Sequence, residues 1–354
     1  MILTILVAFI SLISLMVIHE FGHFILAKKF GVKVEEFGVG YPPRIFGVKI
    51  RETIYSLNLM PFGAFVKVHG ETGGIEDYRS FTGRPMWQRF SIVLGGVVSF
   101  WIVAVIILSA VAGIWGFPTE VTDQQNAMQP KVHITQIAIL SPAKEADLRV
   151  GDIVIGFEKI SDLQGFIGLN KGKEIVLNVK RGQEVLEKKI TPRIFPPEGQ
   201  GALGIGLVRS GLIIYPWYKA PLMGISATYN LTLSVIRGWA VGLKSMLGLA
   251  KLPKGMKIEL MGPLGIFDLL REYFAMGINY FLFLVALISV ALALANILPI
   301  PALDGGKLFF LTIEAVRRKP INHKLEQRIT SVFFALLIFL MIFVTVKFDI
   351  PKVF

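Results

Sequence analysis

The chain has 354 residues, of which 53% are hydrophobic and 18% are charged, and it contains 37 Lys and Arg, 25 Asp and Glu and no Cys. Soluble domains carry about 25% charged residues, so this composition argues against a wholly soluble protein, and its high apolar content excludes a disordered one. The lack of Cys excludes disulfides and thiolate metal sites, so a metal site here must use His and carboxylate ligands. Basic residues that flank membrane spans explain the formal net charge of +12 better than nucleic-acid binding, and we expect no nucleic-acid partner.

The first predicted element is a long apolar helix. Residues 2–18 hold no charge, and apolar residues resume at 21–27 before Lys28 and Lys29. At about 1.5 Å per residue, a helix over this length exceeds the ~30 Å hydrocarbon core of a bilayer. We predict a transmembrane span rather than a cleaved signal peptide, because no basic segment precedes it and no small-residue cleavage site follows it.

This first span carries His19, Glu20 and His23 in an H-E-x-x-H pattern. Positions i and i+4 of a helix share one face, so both imidazoles can bind one zinc ion while Glu20 acts as general base on the attacking water. A charged residue near the middle of a span costs about 2.5–3.5 kcal/mol on insertion scales. That cost favours a functional site over a chance pattern.

The connection after the first span contains a predicted β-hairpin. Residues 54–59 and 64–69 alternate apolar and polar side chains around the Pro-Phe-Gly of residues 61–63. The hairpin is unusually apolar for a connection, so we expect it to associate with the membrane. Strand backbone is tolerated at membrane depth only where protein or a wet cavity covers it.

Three further uncharged runs predict transmembrane helices at residues 91–117, 274–303 and 329–346. The fold class is therefore a polytopic, mainly α membrane protein with four transmembrane helices. Residues 28–90 hold ten Lys and Arg, and residues 307–328 hold six. Because short cytoplasmic loops carry the excess of Lys and Arg, we expect both connections, and the hairpin, on the cytoplasmic side and both termini outside.

Residues 117–211 predict an inserted α+β domain, placed outside the cytoplasm by alternation of the spans. Short β-branched runs alternate there with Gly, Pro, Asn or Asp. The S-P-A-K-E-A-D-L-R-V-G-D of residues 141–152 resembles the S-P-A-x-x-A-G-L-x-x-G-D segment of PDZ domains, with Asp147 where Gly is usual. Another small β module remains an alternative at this point.

Residues 217–258 are amphipathic and interrupted by Gly, which favours a helix at the membrane surface over a fifth span. The predicted organisation therefore has four regions. They are the first two spans with the hairpin (1–116), the PDZ-like domain (117–211), the surface segment (212–272) and the last two spans (273–354).

A third protein ligand for zinc must come from another part of the chain, and without Cys we expect a carboxylate. Asp304, at the end of the third predicted span, is the only candidate inside another span. It lies in N-I-L-P-I-P-A-L-D-G-G, residues 296–306, where two prolines and a Gly pair should unwind the helix. Spans one and three run in the same direction, and His23 and Asp304 both precede basic residues. They should therefore lie at a similar depth, toward the cytoplasmic face.

The H-E-F-G-H of residues 19–23 and the N-x-x-P-x-P-x-L-D-G-G of residues 296–306 are the two signatures of the site-2 protease family of intramembrane zinc metalloproteases. The chain resembles this family over essentially its whole length. A single external PDZ-like domain resembles the bacterial branch that acts on anti-sigma factors, such as the regulator of sigma-E protease. Residues 94–99, L-G-G-V-V-S, depart from the family, which usually has Ala-Gly-Pro followed by Asn.

The resemblance implies a Zn²⁺ cofactor held by His19, His23 and Asp304, with Glu20 as general base. It implies cleavage of single-pass membrane proteins, such as anti-sigma factors and signal-peptide-like segments, in the bacterial cytoplasmic membrane. It also implies that Asn296 binds the substrate backbone, and that the external domain rejects substrates with bulky external parts. The oligomeric state stays open.

The hairpin offers a strand edge that could hold an unwound substrate. A substrate helix hides its peptide bonds in backbone hydrogen bonds, and an added strand replaces those bonds. We expect this edge at Gly63, Ala64, Phe65 and Val66. Two alternatives from other classes are a metal-regulated membrane transporter and an inactive scaffold that presents a PDZ domain.

Overall fold

The structure, a computed structural model, describes residues 2–71, 77–181, 184–249 and 261–353. It divides into one unit of Met1–Ala110 with Pro221–Phe354 and a second unit of Val111–Ala220. In chain order the elements are α1 (Ile2–Lys29), β1 (Val34–Ile50), β2 (Thr53–Val68), α2 (Met86–Ala110), β3 (Phe117–Glu120), β4 (Met128–Ile137), α3 (Pro142–Glu145), β5 (Ile153–Val154), α4 (Ile160–Leu169), β6 (Ile175–Arg181), β7 (Glu184–Ile190), β8 (Ile205–Ile213), α5 (Ala220–Met246), α6 (Pro263–Met276), α7 (Ile278–Ile297), α8 (Asp304–Arg317), α9 (His323–Val344) and α10 (Ile350–Val353).

Four helices among the described residues are long and apolar enough to cross a membrane, as predicted. They cover Leu6–Lys29, Met86–Trp115, Ile278–Ile297 and His323–Asp349. The second and fourth end in π-helical turns that extend α2 and α9. The fourth begins six residues before its predicted start, where the side chain of Asn322 accepts a hydrogen bond from the backbone N–H of Lys324 and caps α9.

The third span is shorter than the predicted 274–303. Gly277, with a φ of 131°, separates α6 from α7, a conformation that favours glycine. At the other end, α7 stops at Ile297, just before Pro299 and Pro301. Proline lacks the N–H that a helix needs and clashes with the preceding turn, so the chain leaves the helix here.

The predicted surface segment contains α5, a helix of 27 residues that is not among the four apolar helices. Gly and polar residues interrupt its apolar sequence. Residues 250–260 of this segment lie outside the described residues. Its position at the membrane surface stays a prediction.

The predicted strands at 54–59 and 64–69 exist almost as expected, but they do not pair with each other. Both belong to β2, and the hairpin turn lies between β1 and β2, at Arg51. Val39 of β1 pairs with Ala64 and also with Leu57, so the first part of β1 lies between the two arms of β2. Alternation identifies a strand, but alternation within one segment cannot select its partner.

Close packing of α1 on α2 sets the frame of the larger unit. A Cβ at Gly22 would overlap the backbone carbonyl of Gly95, so the two backbones touch. Helix α2 also packs on α7 and α8, with Val97 and Phe100 fully buried against α7 residues such as Leu284. Small residues at such crossings allow the close approach by which membrane helices associate.

The second unit is a six-stranded antiparallel sheet in the order β3-β8-β4-β5-β6-β7 with the two short helices α3 and α4. Its core includes Ile134, Leu148 and Leu163, all 1% exposed or less. Asp147 has a φ of 52°, the left-handed conformation that explains why Gly is usual at this position. The α+β character is as predicted, and the PDZ assignment stays a prediction.

Candidate metal centre

Helix α1 presents His19 and His23 on one face, one turn apart. Their Nε2 atoms lie 3.3 Å from each other, and both residues are at least nine-tenths buried. The spacing of four residues produces this convergence, as the sequence predicted.

Asp304 reaches the two histidines from a different element than expected. It is not inside the third span, since α7 ends seven residues earlier, and it is the first residue of α8. The turn between the helices needs the Gly pair, because a Cβ at Gly305 would overlap the carbonyl of Leu298, and one at Gly306 would overlap that of Ile300. These contacts fold α8 back and bring the carboxylate to α1.

Three ligand atoms meet at one point. Asp304 Oδ2 lies 3.2 Å from His19 Nε2 and 3.4 Å from His23 Nε2. A tetrahedral ion with ligand bonds of about 2.0–2.1 Å requires ligand atoms about 3.3 Å apart. Among the described residues these three form the one group that could hold a metal ion, and Asp304 Oδ2 is a buried atom with no conventional hydrogen bond there. The residues therefore fit Zn²⁺.

Neighbouring groups fix the imidazole orientations. His23 Nδ1 lies 2.9 Å from the backbone carbonyl of Ile92, which can only accept, so Nδ1 carries the proton and Nε2 is free for a metal. The ring of His19 stacks on Phe100, with ring centroids 4.7 Å apart. Gly96 of α2 lies under both imidazoles, where a Cβ would overlap each ring. The departure of residues 94–99 from the family pattern thus leaves the histidine contacts of α2 in place.

A cavity of about 230 Å³ opens beside the three ligand atoms, and Glu20, His23 and Asp304 all line it. Ala64, Phe65 and Val66 of β2 line the same cavity, so the predicted strand edge faces the predicted general base. Gly63 is not among its lining residues; it has a φ of 94° and lies near the ring of Tyr41.

Asn296 does not line this cavity. Its side-chain amide donates to the backbone carbonyl of Leu292, 3.0 Å away in its own helix. The structure therefore brings together the ligands, Glu20 and part of the strand edge, but not Asn296. Sequence reasoning missed Tyr41, Glu71 and Lys307, which also line the cavity. Of these three, only Lys307 could have been suspected from the sequence, because it follows Asp304 by about one helical turn.

The turn of the β1–β2 hairpin is tied to the end of α1. Glu52 accepts from Lys28, 2.5 Å away, and from Arg79. The hydrogen bond from Lys28, followed by that from Arg79, lowers the pKa of Glu52 below its ordinary value. This contact holds the sheet beside the helix that carries both histidines.

Comparison with known proteins identifies the family. The sequence profile of peptidase family M50 matches residues 7–340. The chain belongs to peptidase family M50. A Clostridium perfringens protein, named as a predicted zinc metalloprotease, is 34% identical over 348 residues, covering 96% of each chain. The regulator of sigma-W protease RasP of Bacillus subtilis is 29% identical, covering 98% of each chain. The zinc metalloprotease RasP of Oceanobacillus iheyensis is 26% identical, covering 99% of this chain and 100% of its own.

These findings make this M50 chain a zinc metalloprotease with Zn²⁺ as its cofactor, and they confirm the resemblance to site-2 proteases. Together with the four apolar helices they make it a membrane protease. The transporter and the inactive scaffold are therefore not the function of this chain. The sigma-E branch stays a prediction.

Proposed function

We propose that this M50 peptidase hydrolyses a peptide bond within or near the transmembrane segment of single-pass membrane proteins, with His19, His23 and Asp304 as zinc ligands and Glu20 as general base. One observation carries the proposal: three ligand atoms 3.2–3.4 Å apart adjoin a cavity that Glu20 lines. Zn²⁺ held there supplies a Lewis acid that acidifies water and polarises the peptide carbonyl. Glu20 takes the proton of the attacking water and passes it to the leaving amine.

The substrate binds as a strand along β2. Ala64 and Phe65 pair with β1 through one edge of β2, and no pairing engages their other edge among the described residues. A transmembrane helix must unwind before its peptide bonds can be attacked, and the free edge offers hydrogen bonds in return. The position of this edge in the cavity of Glu20 supports this binding mode.

The protein lies in the bacterial cytoplasmic membrane, with both termini and the second unit outside and the metal centre toward the cytoplasm. Ten Lys and Arg in residues 28–90 and six in residues 307–328 support this orientation. The relative in B. subtilis is named as a regulator of sigma-W protease, which supports anti-sigma factors as a substrate class.

Replacement of Glu20 tests the proposal. Glu20→Gln should retain zinc and lower the rate of cleavage of a single-pass membrane substrate by roughly 100-fold or more, because general acid–base catalysis contributes that much. Glu272→Gln, an exposed glutamate on α6, is the matched control and should cleave at the parental rate. Parental cleavage by Glu20→Gln would refute the general-base role.

The strand edge has its own test. Gly63, with its φ of 94°, cannot become proline without strain, so Ala64→Pro is the better variant. It should reduce cleavage and leave the zinc content unchanged. Full activity in this variant would rule out strand addition.

The second unit acts as a PDZ-type gate against substrates with bulky external domains. Its Ser-Pro start of α3 and left-handed Asp147 support the PDZ resemblance. Deletion of residues 120–210 should abolish discrimination between intact and externally trimmed substrates. Unchanged discrimination would contradict gating.

A further inference from the structure

Two cavities share a wall beside the metal centre. The first is the cavity of about 230 Å³ lined by Glu20 and β2, and the second has a volume of about 450 Å³. Among the described residues, only Glu71, Asp304 and Lys307 line both. These three side chains therefore stand at the junction between the two spaces.

The larger cavity, which we call the vestibule, is polar on the side of α9. Five residues of α9 line it at the spacing of one helical face: His323, Glu326, Gln327, Thr330 and Ser331. Its volume gives room for on the order of ten water molecules. A polar space of this size suits water and charged chain ends better than an apolar transmembrane segment.

An ion pair crosses the junction. Lys307 Nζ binds Glu71 Oε1, and the ammonium lies 4.7 Å from the ring centroid of Phe81. The side chains of Lys307 and Glu71 are 23% and 34% exposed, respectively, so the pair is hydrated. Hydrated ion pairs contribute little net stability, and a competing anion can therefore displace the carboxylate.

Peptide hydrolysis creates such an anion at this place. The C–N bond breaks, the water oxygen joins the carbonyl carbon, and the nitrogen takes a proton, so a carboxylate and an amine that becomes ammonium replace a neutral amide. The carboxylate forms beside Asp304, one helical turn from Lys307. Lys307 is the only Lys or Arg among the described residues that line the catalytic cavity.

We propose that Lys307 is a product-binding residue, which exchanges Glu71 for the new carboxylate and draws that chain end into the vestibule. The inference rests on the proposed peptidase function of the site. In this account Glu71 is an internal competitor that occupies Lys307 before cleavage and reclaims it when the product leaves.

Binding of a product-like peptide tests the proposal without turnover. The probe is a fluorophore-labelled Leu-Ala-Leu-Ala-Leu-Ala peptide with either a free carboxylate or a carboxamide at its C-terminus. Its affinity is measured on the zinc-loaded full chain in detergent. The readout is the ratio of the two affinities, since contacts with the rest of the peptide are shared by both forms.

Lys307→Gln should lower the carboxylate preference about tenfold, the size expected for one charge-assisted contact. Glu71→Gln should raise it several-fold, because Lys307 then has no internal partner. A purely structural ion pair would make both variants change in the same direction. Lys67→Gln breaks the ion pair with Glu35, which lies outside both cavities, and should leave the ratio unchanged.

Lys307→Arg keeps the charge and should retain the preference, which separates a binding defect from a folding defect. An unchanged ratio in Lys307→Gln, or a fall in Glu71→Gln, would overturn the proposal. If the parental chain cleaves no membrane substrate, the proposed function fails, but the affinity ratio still decides the role of Lys307.

Discussion

Two clusters of buried polar groups in this chain follow opposite rules. In the second unit, Asp152 is 1% exposed and accepts hydrogen bonds from two nitrogens of Arg181 and from the backbone N–H of Arg149. At the metal centre, Asp304 Oδ2 and two imidazole Nε2 atoms converge, and no Lys or Arg among the described residues forms an ion pair with Asp304. A buried carboxylate whose hydrogen-bond donors are all present, such as Asp152, stabilises the fold. Acceptor atoms that converge without donors, as at Asp304, favour the binding of a cation.

The electrostatics of the Asp152 cluster agree with this rule. Burial raises the pKa of Asp152, but hydrogen bonds from Arg181 and Arg149 outweigh it and leave the pKa below its usual value. The pKa of Asp147 is lowered by hydrogen bonds from Lys188 first, then Arg149 and Arg181. These carboxylates already have their cations, so they need no metal.

The largest difference between the two clusters is expected in zinc affinity, when Asp304 or Asp152 is replaced by alanine. Asp304→Ala should weaken zinc binding by about 100-fold, because structural sites with four ligands bind zinc with about 10–16 kcal/mol, or roughly 3 kcal/mol per ligand. Competition with a chelator measures the affinity. Asp152→Ala should leave it unchanged, and equal effects of the two variants would break the comparison.

For the stability of the second unit, Asp152 should matter and Asp304 should not. Asp152→Ala leaves Arg181 without its buried partner and should destabilise the second unit by about 2–3 kcal/mol. Chemical denaturation, followed by a probe within residues 111–220, measures the change. A loss of less than about 0.5 kcal/mol would show that the cluster is not structural.

A substitution at Gly96 tests whether the packing of α2 against both imidazoles supports zinc binding. Gly96→Ala adds a Cβ that overlaps both imidazoles, so the rings must move, and zinc affinity should fall about 10-fold, the range seen when groups that support metal ligands are changed. Gly238→Ala on α5 is the control, since its Cβ would meet open space. Parental zinc affinity in Gly96→Ala would contradict the packing.

The smallest effect is expected for Glu52, which ties the β1–β2 turn to Lys28 and Arg79. Glu52→Gln should destabilise the chain by no more than about 1 kcal/mol, because the ion pairs with Lys28 and Arg79 are partly exposed. The pKa of Glu52 is lowered on folding, so its contribution is present above the unfolded value near 4.5 and is lost as the pH falls through the lower folded value. Melting curves of both proteins should converge at acid pH, and a constant difference would refute this.

The sequence predicted local features well and long-range partners poorly. The spacing of four residues between His19 and His23 predicted that their side chains converge, because a helix has a fixed period. Asp304 was predicted as a ligand because it was the remaining carboxylate candidate. Helix α8 was not predicted, because a short helix after a proline-rich turn lacks the long apolar run that identifies a span. The pairing of β2 with residues 34–39 and the ion pair of Glu71 with Lys307 join distant segments, for which no local pattern exists.

X-ray absorption at the zinc edge of the full chain tests the central claim most directly. We expect two imidazole nitrogens and at least one carboxylate oxygen at about 2.0–2.2 Å, with the imidazole signal reduced in His23→Ala and the bound zinc depleted in Asp304→Ala. A zinc spectrum that is unchanged in both variants would place the metal elsewhere and contradict the assignment.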